Sequence, residues 1–217
     1  MFRAAIWQEE FTPAPACIIS SMPSAKAPEF DLQRPLPSAL AVLRAVLLSP
    51  RDYYSNFSAE GPVREPAIFT LLVGAVTGAL TAAVALASNL IFGGLDAGEL
   101  LFTLLEALVF AALSPLAVGA VAGVYLLSIR TFVGKVSSFW EVYRIAAYAW
   151  GAVILAWIPV LGAFAITYAL MVLMGIGIRF IYRTSLLTAV VTALVGFVPL
   201  GVALIWLRVV TAGLASG

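Results

Sequence analysis

The chain has 217 residues, 63% of them hydrophobic and 11% charged, with a mean hydropathy of +1.06 and a formal net charge of +1. A soluble chain carries about 25% charged residues, so this one lacks the polar surface that water requires. The near-neutral charge argues against a general nucleic-acid binder, and the absence of histidine removes the commonest general base and metal ligand. Residues 1–36 read as an extended or disordered tail, because Pro13, Pro15, Pro23, Pro28 and Pro35 break any long helix. Cys17 follows Ala14-Pro15-Ala16, but no long apolar run precedes it, so a lipoprotein signal is not expected. As the single cysteine, it excludes an intramolecular disulfide.

Residues 37–66 form an interfacial segment. Pro37 can open a helix, and Leu40, Leu43, Val46, Leu47 and Leu48 follow with Arg44 as the one charge, a run too short to span. The reading is an amphipathic helix on the membrane surface, against the alternative of a helix packed on the bundle. Ser49-Pro50 stops it. Arg51, Tyr53 and Tyr54 then mix charge with aromatics, as expected at headgroup level, so Arg44, Arg51, Tyr53 and Tyr54 are the candidate lipid-contacting residues.

Four stretches contain no charged residue: between Glu65 and Asp96, Glu106 and Arg130, Arg144 and Arg179, and Arg183 and Arg208. A spanning helix needs about 20 mainly apolar residues, and each stretch is long enough. The runs do not alternate polar with apolar residues, which excludes a membrane barrel. The stretch 145–178 is too long for one span, and Pro159 and Gly162 mark a turn within it. The fold class is therefore all-α: a polytopic membrane helical bundle over 67–209, with five transmembrane helices at about 67–92, 100–128, 142–158, 162–182 and 185–209, then a tail at 210–217. Four spans, with a re-entrant turn, are the competing count. Arg44, Arg51, Arg64, Arg130, Lys135, Arg144, Arg179 and Arg183 fall on one side of the five-span arrangement and Arg208 on the other. The positive-inside rule then sets the N-terminus in the cytoplasm, with a bacterial cytoplasmic membrane as the expected location.

Glu106 is the one acid inside a span. It is either an intramembrane polar site or a glutamate near the outer interface, six residues into the second span. Gly74 and Gly78, and Gly119 and Gly123, form G-x-x-x-G pairs, which let helices approach closely within the bundle or against another chain. No catalytic, cofactor-binding or metal-binding constellation is present.

The order of features resembles the Ypt-interacting-protein (Yip) domain family, in its prokaryotic branch. The resemblance rests on Leu48-Ser49-Pro50-Arg51-Asp52-Tyr53-Tyr54, on the run Val133 to Ala149 with Gly134, Ser138, Phe139 and Ala147-Tyr148, on Ile158-Pro159-Val160-Leu161-Gly162 and Tyr168, and on Gly175-Ile176-Gly177 with Thr184-Ser185. It covers about residues 38–209. It departs at Leu187-Thr188, where the family often has a basic residue, so no charge-dependent role is carried to that place. The resemblance implies a five-span domain with a cytoplasmic N-terminus. Together these readings point to a non-enzymatic membrane scaffold or accessory subunit, with other integral membrane proteins and membrane lipids as partners and no cofactor, nucleic acid or small-molecule substrate. A small transporter or channel using Glu106, and a lipid-organising protein, are the alternatives.

Overall fold

The computed structural model describes residues 26–94, 96–135 and 137–215, and Cys17 lies outside them. Among the described residues every regular element is helical. Helix α1 runs Pro35–Leu48 and α2 Pro50–Ser55, each with proline in its first turn. The long helices α3 (Arg64–Phe92) and α4 (Ala97–Phe132) follow, then α5 (Phe139–Ala149). A tight 3₁₀ stretch, Trp150–Leu155, continues α5. Helix α6 (Leu161–Thr167) passes through a π-helical stretch, Tyr168–Leu173, into α7 (Met174–Ile181). Helix α8 (Leu186–Ala215) closes the chain.

Four helical stretches are long and apolar enough to cross a membrane: Arg64–Phe92, Ala97–Phe132, Phe164–Ile181 and Leu186–Ala203. The chain is a multi-pass membrane helical bundle. The segment expected at 142–158 takes another form, 11 α-helical residues followed by 6 in 3₁₀ geometry. At about 1.5 Å and 2.0 Å per residue these extend roughly 16 Å and 12 Å, together close to the ~30 Å hydrocarbon core. Residues 142–149 and 151–153 are all buried, because α1, α3, α4 and the π-helical stretch surround this segment. It is the central post of the bundle, apolar on every side for that reason.

The helix expected from residue 37 begins two residues earlier, at Pro35. It packs on the bundle through Ala39, Val42, Leu43 and Val46 and leaves Leu36, Leu40, Arg44 and Leu48 exposed. One face of the helix is thus packed on the bundle, and the other carries an apolar stripe broken by Arg44. Residues 26–34 are not a free tail. Phe30 is 1% exposed and lies against Phe69, with ring centroids 5.8 Å apart, and its backbone N–H donates to the Tyr148 hydroxyl at 3.4 Å.

Candidate functional site

Two places bring polar groups together inside this apolar framework. The first is the end of the bundle where α3, α5 and α8 begin and α4 and α7 finish, the end that carries most of the arginines. Arg144 sits there on the first turns of α5, and its side chain is fully buried. One guanidinium nitrogen donates to the Pro62 carbonyl at 2.6 Å. Another pairs with the Glu29 carboxylate at 2.8 Å and reaches the Ser58 carbonyl at 3.4 Å. The guanidinium also lies 5.6 Å from the centre of the Phe57 ring. Lys26 holds the other oxygen of Glu29 at 2.9 Å. A planar fork suits this task better than an ammonium, because its two terminal nitrogens are held apart and reach acceptors in different places.

The start of α5 is fixed locally. The Ser138 hydroxyl accepts from the Glu141 N–H at 3.2 Å, and the Glu141 carboxylate accepts from the Ser138 N–H at 3.3 Å. This reciprocal cap is written in the sequence as Ser-x-x-Glu. Beside it the Lys135 ammonium donates to the Tyr182 carbonyl at 2.6 Å, closing the end of α7, where a cation is favoured. Among the groups of this end, Lys135, Glu141, Glu60 and Arg183 border an open polar cleft of about 570 Å³.

Tyr53 and Tyr54, expected at headgroup level, are 2% and 1% exposed and belong to the core. Helix α2 turns them inward onto Phe57 and Tyr148, and burial pushes the Tyr53 hydroxyl well above its ordinary range. Arg44 and Arg51 remain exposed.

The second place is a cavity of about 760 Å³ at mid-depth. One wall is the α3–α4 hairpin and the other is the 3₁₀ stretch with α6 and α8. Gly74 and Gly78 set the hairpin's closeness. A Cβ at Gly78 would lie 2.8 Å from the Ala107 carbonyl oxygen, and one at Gly74 would strike the Ser114 side chain. Gly119 and Gly123 do no such work in this chain: a Cβ at Gly119 would meet only Tyr143, at 3.9 Å, and one at Gly123 would meet nothing within 4 Å.

The Gly78–Ala107 contact fixes the depth of Glu106. Gly78 is 14 residues from either end of the 29-residue helix α3, and Ala107 follows Glu106. Glu106 is therefore level with the middle of α3, about 21 Å from each of its ends, and its side chain is exposed. It lines the cavity with Thr103 and Phe110 on the same face of α4. Opposite them stand Trp150 and Phe197. The buried Trp150 indole nitrogen has no hydrogen-bond partner, while Thr77 donates to the Val153 carbonyl of the 3₁₀ stretch at 3.3 Å. Among the described residues no group of three His, Cys, Asp or Glu side chains could hold a metal ion.

The sequence model of the Yip1 domain matches residues 44–207. This chain belongs to the Yip1 domain family. The match starts within α1 and ends within α8, so it takes in both the buried arginine and the mid-depth cavity. Comparison with curated proteins and with solved structures returns no match. The sequence alone marks Arg144 only as one of the positive charges on one side of the arrangement. The signal that could have singled it out is its place three residues after Glu141, inside the Ser138 cap's first turns and ahead of a run of apolar residues.

Proposed function

We propose that this Yip1-family membrane protein is a non-enzymatic scaffold or accessory subunit, which holds its N-terminal segment on the cytoplasmic end of the bundle and offers it to other membrane proteins. The observation that supports this reading is the buried pair of Arg144 and Glu29. Burying a guanidinium is costly, and such a pair adds little net stability over an apolar contact. What it does provide is a fixed position. It holds the segment that starts at Lys26 against the bundle, with the Lys26 side chain 69% exposed. The cytoplasmic assignment rests on the positive-inside rule, since Arg64, Arg130, Arg144, Arg179 and Arg183 belong to this end, and a bacterial cytoplasmic membrane fits it.

A photo-reactive amino acid in place of Lys26, in membranes, tests the reading. The expected product is a discrete adduct with another integral membrane protein, reduced when Glu29→Gln releases the segment. A chain that yields no adduct and purifies in mild detergent as a clean monomer overturns it.

One observation favours a second reading, a lipid-organising role. Leu36, Leu40, Arg44 and Leu48 recur at every fourth position and form one exposed stripe on α1, the pattern of a helix lying in the interface. Anionic lipid retained through purification would fall in Arg44→Glu if this face binds lipid, and equal retention would exclude it.

A further inference from the structure

The mid-depth cavity is independent of that scaffold role, and its chemistry selects a ligand. Its volume of about 760 Å³ lies within the range of roughly 300–1,000 Å³ occupied by small-molecule sites. Its lining is mostly apolar, with one acid. On α4 the lining face is Thr103, Glu106 and Phe110, and on α3 it includes Thr77, Thr81 and Ala85, spacings that keep each set on one side of its helix.

Among the side chains described, no lysine or arginine lines the cavity, and Glu106 has no ion-pair partner. A carboxylate level with the middle of a spanning helix is costly unless it meets a cation. The aromatic rings of Phe110, Trp150 and Phe197 border the same space, and aromatic faces attract cations. An anionic amphiphile is opposed by Glu106, and a bare acyl chain makes no use of it.

We propose that this cavity binds a lipophilic organic cation, with the Glu106 carboxylate as its counter-charge and the surrounding rings around its apolar body. The assignment needs no catalytic step. It uses the only acid of the second span, one that the Arg144 cluster leaves unused.

Full-length protein in phosphatidylcholine nanodiscs provides the test, with tetraphenylphosphonium as the probe and tetraphenylborate as its counterpart of the same shape and opposite charge. After subtraction of empty nanodiscs, the phosphonium binds saturably and the borate does not. Glu106→Gln weakens phosphonium binding about tenfold or more, and Glu106→Asp restores part of it. Thr81→Leu, which fills the cavity, also weakens it. Glu99→Gln, on the same helix but outside the cavity, leaves binding unchanged. The proposal is overturned if the two ions bind alike, if the phosphonium shows no saturable binding, or if its binding survives Glu106→Gln. The comparison of the two ions on the unmodified protein decides the matter even where a variant does not fold.

Discussion

The guanidinium of Arg144 and the carboxylate of Glu29 meet at 2.8 Å across 115 positions of sequence. This contact converts a proline-rich approach segment into part of the membrane domain's end cap. Arg144→Ala leaves Glu29 facing a buried void and strips the Pro62 carbonyl of its donor, at an expected cost of about 3 kcal/mol. Arg144→Lys recovers only part of this, because its donors radiate from one nitrogen and do not reproduce the separate positions of the two guanidinium nitrogens. Thermal unfolding in detergent measures the cost. Limited proteolysis at Lys26 reports release of the segment, and it accelerates in both variants.

The two G-x-x-x-G pairs separate cleanly. Gly78→Ala forces its methyl against the backbone of Ala107, which no rotamer change can relieve, so a loss of about 2 kcal/mol is expected. Gly123→Ala meets open space and stays within about 0.5 kcal/mol of the unmodified protein. Equal effects at the two positions, read from melting of the purified variants, would contradict the α3–α4 packing described here.

Ser138→Ala removes the hydroxyl that caps α5, with an expected loss of about 1 kcal/mol. Because α5 carries Arg144 in its first turns, the effect extends beyond the cap. Hydrogen exchange rises at the amides of Glu141 and Val142, and also in residues 26–34 across the ion pair. Exchange confined to α5 would show that the cap and the latch are not coupled.

Long apolar runs were legible because hydrocarbon thickness imposes a minimum length on every spanning helix, and α3, α4 and α8 all exceed it. What the sequence hid was pairing. Tyr53 and Tyr54 carry the composition of interfacial residues, yet α2 docks and turns them inward, which depends on Phe57 and Tyr148 being where they are. Glu106 looked shallow because its depth was counted along its own helix from residue 100. The helix starts at Ala97, and the Gly78–Ala107 contact sets Glu106 level with the middle of α3. Arg144 stood out only as one positive charge among several, because its partner, Glu29, belongs to a segment with no periodic signal. Residues 142–158 promised a uniform helix, and the change to 3₁₀ geometry at Trp150 has no marker in local composition. Gly151 comes nearest to one, since a Cβ there would lie 3.0 Å from Leu43.

The turn between the 3₁₀ stretch and α6 yields two substitutions with opposite signs. Val160 has φ +71°, a left-handed conformation that β-branched residues strongly resist. Its side chain is 81% exposed, so it contributes little packing in return. Val160→Gly relieves roughly 1–3 kcal/mol of backbone strain against an entropy cost of about 0.5–1 kcal/mol for glycine. A net gain of about 1 kcal/mol is therefore expected. Two residues on, a Cβ at Gly162 would lie 2.7 Å from the Ala156 carbonyl oxygen. Gly162→Ala thus pushes the turn open and destabilises by about 1–3 kcal/mol. The two positions are two residues apart, at the turn and in the first turn of α6, so a general effect of altering this region moves them the same way. Melting temperatures that rise for Val160→Gly and fall for Gly162→Ala identify the strained and the close-packed residue separately, and a shift in the same direction for both refutes this geometry.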